Sequence, residues 1–197
     1  MDAVLRKTGF WFLRHGETDW NAQNLSQGNV EVPLNAHGIE QARKVAPLLV
    51  GRGIATIVAS PLERARVTAQ IVADKLGLPV TIQDDLHEVS FGVMEAKSME
   101  GQWFVDYVEG RATPEGAESF EELKVRTVGA VNRALDNPPL VLVVAHGTVF
   151  RALRAAMGLR PNIRMPNATP TWCEPPPDGA DSWSLHTIET AASSHAP

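Results

Sequence analysis

Three short apolar runs constrain this chain more than any other feature, because all three end in the same way. Residues 10–13 (FWFL) break into Arg14, His15 and Gly16. Residues 54–59 (IATIVA) break into Ser60, Pro61 and then Arg64, and residues 140–145 (LVLVVA) break into His146 and Gly147. Apolar runs of this length, rich in β-branched and aromatic side chains, read as buried strands. The second opens directly into a helical pattern, SPLERARVTAQIVADKLG, with Pro61 in its first turn and Gly77 at its end. The third leads into a helix from Thr148 to about Met157. A further helical pattern over residues 37–50 has Asn35 as its cap and Gly51 and Gly53 beyond its end, and residues 78–82 form another short strand. Strands alternating with helices predict an α/β fold: a three-layer α/β/α sandwich with a mostly parallel central sheet.

Between residues 84 and 136 the pattern changes to two helices, 100–109 and 119–135. The turn-forming stretch GRATPEGAES separates them. A small helical lid over residues 95–119 is expected here, inserted in a single domain spanning residues 1–197. From Pro161 the chain is irregular and Pro-rich. DSWSLHTIE reads as an edge strand, and the tail from about residue 190 is expected to be disordered.

Composition narrows the classes of function. With 44% hydrophobic residues the chain has material for a real core, and its formal charge of −5 argues against nucleic acid or an anionic membrane as partner. The N-terminal residues lack the apolar stretch of a signal peptide, and no run of roughly 18 apolar residues exists to span a membrane. Cys173 is the one cysteine, which rules out an intrachain disulfide and fits a cytoplasmic protein.

In an open α/β sheet, ligands bind beyond the carboxyl ends of the strands. Arg14, His15, Arg64 and His146 therefore converge on one rim, provided the three strands are neighbours. Two guanidinium forks match the oxygens of a tetrahedral dianion. A neutral imidazole is a nucleophile toward phosphorus, and a second imidazole can donate to the phosphoryl oxygens. Gly16 and Gly147 let the backbone approach a bulky anion, and the turn at Gly147 adds N–H donors and a helix dipole. Taken singly, each residue has a plainer reading, since a lone Arg or His at a strand end is an ordinary solvated or packed side chain. A metal site of His15, Glu17 and His146 lacks the spacing of a known zinc motif.

Five blocks in order carry a resemblance: LRHGETDWN (residues 13–21), QGNVEVPLNAHGIEQA (27–42), ASPLERARVTAQ (59–70), LHEVSFGVMEA (86–96) and VVAHGTVFRAL (143–153). Together they resemble the histidine phosphatase superfamily, the phosphoglycerate mutase-like proteins, over roughly residues 9–190. The resemblance implies that His15 is the nucleophile that becomes phosphohistidine. It implies that Arg14, Arg64 and His146 line the phosphate pocket, and that Glu88 donates the proton to the leaving oxygen. Asn21 contacts the phosphate or holds the His15 loop, Thr18 and Gln27 lie at the pocket edge, and Gly147 opens the turn. Asp85 and Glu95 are the nearest competitors for the acid. As an acid Glu88 must hold a proton, which a nearby dianion or an apolar pocket favours.

The implied activity is that of a phosphomonoesterase on a small phosphorylated metabolite, with no cofactor and no metal, acting as a monomer or homodimer. The alternatives are a phosphoglycerate-type mutase, a phosphoprotein phosphatase, and a non-catalytic phosphate-binding regulatory protein. Where many relatives carry Asp, this chain has Glu31. Mutases of the family carry a longer, more basic insertion after the acid and read E-R-H-Y-G where this chain reads E-V-S-F-G, which places it with the hydrolases. In the lid, Trp103, Phe104 and Tyr107 are either packing residues or an apolar wall for substrate, and Arg111 is one of the few cations left to reach a substrate's far end. The substrate itself is not encoded in any motif.

Overall fold

The computed structural model describes residues 4–188. The expected disordered tail from residue 190 lies outside the described residues. Six strands form one sheet in the order β3-β2-β4-β1-β5-β6: β1 Phe10–Arg14, β2 Thr56–Ala59, β3 Val80–Ile82, β4 Val141–Ala145, β5 Pro170–Glu174 and β6 Ser184–Thr187. The first four in chain order pair in parallel, while β5 and β6 run antiparallel. The helices are α1 Asp19–Ala22, α2 Ala36–Val45, α3 Glu63–Leu76, α4 Gln102–Val108, α5 Phe120–Ala134 and α6 Gly147–Ala156.

Strand alternation explains the three layers. On one face Phe10, Phe12, Val141, Val143 and Ala145 pack against α5 and α6, with Phe12 4.6 Å from the Phe150 ring. On the other face Trp11, Leu13, Leu142 and Val144 pack against α2 and α3. Both central strands are buried along their whole length, as expected for parallel strands covered on both sides. Truncating Phe12 in this core costs roughly 3–5 kcal/mol.

Helix boundaries follow local chemistry. Asn35 caps α2 by accepting from the Gly38 N–H, and the helix gives way to a 3-10 turn at Ala46–Leu49, where Pro47 removes a donor. Ser119 and Glu122 form a reciprocal capping box on α5. The N-termini of α3 and α6 lack a side-chain cap of their own. Carboxylates from elsewhere serve instead: Glu31 accepts from the Glu63 N–H, and Glu88 accepts from Thr148 and Val149.

One strand was not legible in the sequence. Residues 170–174 (PTWCE) lie in the Pro-rich stretch expected to be irregular, yet they form β5 directly beside β1. Pro170 is tolerated as the first residue of the strand, and Trp172 packs on Trp11 at 5.6 Å. The expected edge strand is present as β6.

Candidate active site

The register of the central strands places the polar residues side by side. Arg14 sits opposite Ala145, Ala59 sits opposite Val144, and β4 lies between the other two. The condition for convergence is therefore met: Arg14, His15, Ser60, Arg64 and His146 leave the sheet at one end. Past the strands, His15 N–H still donates to Ala145 O at 3.0 Å and Ser60 N–H to Val144 O at 3.0 Å, so the turns keep the register of the sheet.

His15 is 2% exposed. Its Nδ1 lies 2.7 Å from Gly16 O. A carbonyl can only accept, so Nδ1 carries the proton and the lone pair of the neutral ring is on Nε2. Burial first, then the charges of Arg64 and Arg14, hold His15 well below the usual imidazole range, so it is neutral at working pH. The loop that carries it is fixed from three sides. Gly16 N–H donates to Thr68 Oγ1 at 3.0 Å. The two hydrogens of Asn167 Nδ2 are shared among His15 O, Gly16 O and Asn21 Oδ1. Gly16 also lies so close to the Gly38 backbone that no side chain fits there.

His146 is fully buried, its ring 5.2 Å from that of His15. Its Nε2 lies 2.6 Å from Ser60 Oγ, and Ser60 Oγ itself accepts from the Leu62 N–H. Its Nδ1 is buried and has no partner among the described residues. Burial, then Arg64 and His15, hold His146 well below its ordinary pKa as well.

Arg64 is completely buried. It donates to Gly28 O at 2.7 Å and Val30 O at 2.8 Å, which leaves three of its five N–H groups. Arg14 donates to Met165 O at 2.6 Å, and Gly147 packs against its guanidinium so closely that a methyl there would touch Nε at 3.2 Å. Burial, with Arg164 adding repulsion, pushes Arg14 down to about 10, so it stays charged at neutral pH. Glu88, 7% exposed, accepts from the main-chain N–H groups of Val89, Thr148 and Val149.

A cavity of about 140 Å³ opens over these groups. Arg14, His15, Asn21, Gln27, Arg64, Glu88 and Gly147 all line it. His146 is not among the residues on its wall. Thr18 is buried as the N-cap of α1, in a capping box with Asn21, and is also off the wall. Of the two competitors for the acid, Asp85 pairs with Arg133 and Glu95 accepts from the Phe91 N–H; neither lines the cavity. Glu17 accepts from Asn35 Nδ2 and so ties the loop to α2.

The far side of the cavity differs from expectation. Arg111 pairs with Asp106 and Glu109 on the surface, away from the cavity. The cations that do line it are Arg151 and Arg164, which sequence reading passed over. Arg151 was readable in principle, standing four residues after Gly147 and so one helical turn further along α6. Arg164, Met165 and Asn167 lie in irregular chain with no local signal. Of the aromatic trio, Phe104 lines the cavity, Tyr107 is buried in the core, and Trp103 packs on Phe91.

Two guanidinium groups, a neutral imidazole with its lone pair free and a carboxylate around one small cavity are the equipment of an α/β enzyme that handles phosphoryl groups. Comparison with known proteins agrees. A model of the histidine phosphatase superfamily (branch 1) matches residues 10–185. The chain is 38% identical over 151 residues to the uncharacterized phosphatase PhoE of Bacillus subtilis, covering 74% of this chain and 75% of that protein. It is 37% identical over 164 residues to the probable phosphoglycerate mutase GpmB of Yersinia enterocolitica, covering 77% and 76%. Among solved structures, the mycobacterial glucosyl-3-phosphoglycerate phosphatase in complex with VO3 matches with a TM-score of 0.79 at 28% identity, over 90% of this chain and 96% of that one. A putative alpha-ribazole-5'-P phosphatase from Escherichia coli matches at 0.76 and 27%, over 94% and 97%. The chain belongs to the histidine phosphatase superfamily.

Proposed function

We propose that this protein is a metal-independent phosphomonoesterase that hydrolyses a small phosphorylated metabolite through a phosphohistidine on His15. The observation that carries the reading is the fixed tautomer of His15: Gly16 O holds the proton on Nδ1 and frees Nε2 for attack, between two guanidinium groups on the same wall.

The reaction follows from these parts. His15 Nε2 attacks phosphorus in line, the P–O ester bond breaks, and Glu88 gives its proton to the departing oxygen. Water then attacks the phosphohistidine, Glu88 takes the water proton, and the N–P bond breaks to return His15 and release inorganic phosphate. Arg14 and Arg64 counter the charge on the phosphoryl oxygens throughout, with His146 packed beside the His15 ring. Both Glu88 oxygens accept main-chain N–H bonds, which hold the carboxyl group in place on the cavity wall. Residues 95–119 act as the lid. Its first part is stitched to residues 24–26 by Ala96 N–H to Ser26 O, Ser26 N–H to Lys97 O and Met99 N–H to Asn24 O, each 2.9 Å. With about 140 Å³ available, the site is smaller than the roughly 300–1,000 Å³ of drug-sized pockets, which favours a metabolite over a protein side chain. Among the described residues no helix is long and apolar enough to cross a membrane. The lone, buried Cys173 fits a cytoplasmic protein, monomeric or homodimeric.

The test is hydrolysis of an aryl phosphate with chelator present, together with rapid acid-free quenching to trap labelled phosphoenzyme. Turnover and label in the wild type, both lost in His15→Ala, are expected. Stable label with negligible release of phosphate would favour the mutase instead, and neither turnover nor label would favour a phosphate-binding protein.

A further inference from the structure

We propose that Gln41 is a positioning residue for the nucleophile: its side-chain oxygen acts through the Gly16–Glu17 peptide to hold the proton on His15 Nδ1 and present Nε2 for attack. The inference rests on the phosphatase reading and adds a residue to its machinery.

The two peptide groups that follow His15 are each held at both ends. In the first, His15 O accepts from Asn167 Nδ2 at 3.0 Å and from Ala168 N–H at 3.3 Å, while Gly16 N–H donates to Thr68 Oγ1. In the second, Gly16 O accepts from His15 Nδ1 at 2.7 Å, and Glu17 N–H donates to Gln41 Oε1 at 2.8 Å. A main-chain N–H can only donate, so the Gln41 atom that faces it is the oxygen. The second peptide thus makes a continuous chain from the His15 ring to the Gln41 side chain. Hydrogen bonds strung through one peptide polarise each other in a low-dielectric interior. An acceptor on Glu17 N–H therefore strengthens Gly16 O as an acceptor. That support counts because Asn167 Nδ2 draws on the same oxygen at 3.2 Å.

The helix α2 is built to deliver Gln41 there. Gln41 follows Gly38 by three positions, so both face the same way. Gly38 sits so tightly on the Glu17 main chain that no side chain fits between them. The cap of the helix grips the same residue: Asn35 N–H donates to Glu17 O at 3.0 Å, and Asn35 Nδ2 donates to Glu17 Oε1 at 3.0 Å. Gln41 does not line the cavity, so it reaches the reaction through the peptide. As His15 Nε2 shares its electron pair with phosphorus, the N–P bond forms, the P–O ester bond breaks and the Nδ1 proton stays in place. The ring gains positive charge, which Gly16 O meets and Gln41 supports from the far side. Such an interaction is stronger in the transition state than in the free enzyme.

Two variants and two readouts test this. Gln41→Met keeps the side chain's length and helix propensity but removes the acceptor; Gln41→Glu keeps the acceptor. With an aryl phosphate, Gln41→Met is expected to lower kcat by about three- to tenfold, the scale of one neutral hydrogen bond. The inhibition constant of inorganic phosphate, which reports Arg14 and Arg64, should not change. Gln41→Glu should retain most of the wild-type kcat. The second readout needs no turnover. In NMR with isotope-labelled histidine, the Nδ1–H proton of His15 is identified by its loss in His15→Gln. It should move upfield in Gln41→Met, as its hydrogen bond weakens, and not in Gln41→Glu. An unchanged kcat in Gln41→Met, or an equal fall in Gln41→Glu, would overturn the role. A fall in kcat with the His15 resonance unmoved would also overturn it, since a purely structural staple behaves that way. A wild type without turnover, whose His15 resonance still responds to Gln41→Met, would reject the phosphatase reading and leave the link from Gln41 to His15 standing.

Discussion

The two sides of the cavity are built on different plans. On the strand-end side, Arg14, His15 and Arg64 sit at the ends of parallel strands and in the turns that follow them, with His146 packed beside His15. On the opposite side, Phe104, Arg151 and Arg164 come from a short helix, the second turn of α6 and an irregular return segment. The first side is set by the register of the central strands, which the backbone ladder fixes on both edges of β1 and β4. The second is set by scattered main-chain and side-chain hydrogen bonds. A fold of this type can therefore hold its chemistry constant while the side that meets the rest of the substrate varies.

Breaking the strand-end side should have the largest effect. His15→Ala removes the nucleophile and is expected to lower kcat by about 10³-fold or more, measured with an aryl phosphate alongside far-UV CD to show that the fold persists. Glu88→Gln should cost about 10²–10⁴-fold with an alkyl phosphate. The loss should be much smaller with p-nitrophenyl phosphate, whose leaving group needs no proton; an equal loss with both would reject the acid role. Asn167→Ala probes the point where the irregular segment grips the strand-end side. It releases the His15 and Gly16 carbonyls and Asn21, and kcat should fall about tenfold while thermal unfolding shows a loss of about 1–2 kcal/mol.

Acid should weaken the same region. The folded protein holds His15 and His146 neutral, with pKa values lowered well below 6.5, while the unfolded chain protonates them freely. Stability is thus full above pH 6.5 and is lost as pH falls toward the folded-state values. Each histidine contributes a slope of about 1.4 kcal/mol per pH unit. Urea unfolding from pH 7 to 5 measures it, and His146→Gln should flatten the curve. The smallest effect is expected from Arg126→Met. Arg126 pairs with Glu118 and donates to the Asp85 and His87 carbonyls, fixing the loop that delivers Glu88. A several-fold fall in kcat with KM unchanged would mark it as a positioning residue, whereas no change in kcat would make the clamp purely structural.

The same contrast explains what could be read from sequence. The strand-end group was legible because an apolar run that stops abruptly at Arg or His declares both the strand and its end. Local capping chemistry gave Asn35 for similar reasons. The return segment gave no such signal: Met165 contributes only a carbonyl, Asn167 acts through an amide whose partners lie about 150 positions upstream, and β5 hides beside prolines. Arg111 misled because exposed cations look alike in sequence, and only the fold shows that Asp106 and Glu109 already occupy it. Thr18, adjacent in sequence to the site, turned inward to cap α1.

β1 is synthesised before the other described strands, yet it ends at the centre of the sheet, flanked by β4 on one edge and the antiparallel β5 on the other. Neither neighbour exists until more than two thirds of the chain has been synthesised. The strand that leads into His15 must therefore wait, unpaired on both edges, while α2, α3, α4 and α5 form around it. Such distant pairing slows folding and leaves apolar edges open meanwhile. A nascent chain stopped before Pro170 would carry His15, Arg14, Arg64 and His146 and still lack the strand that closes the sheet around them, so activity during translation should switch on late and abruptly.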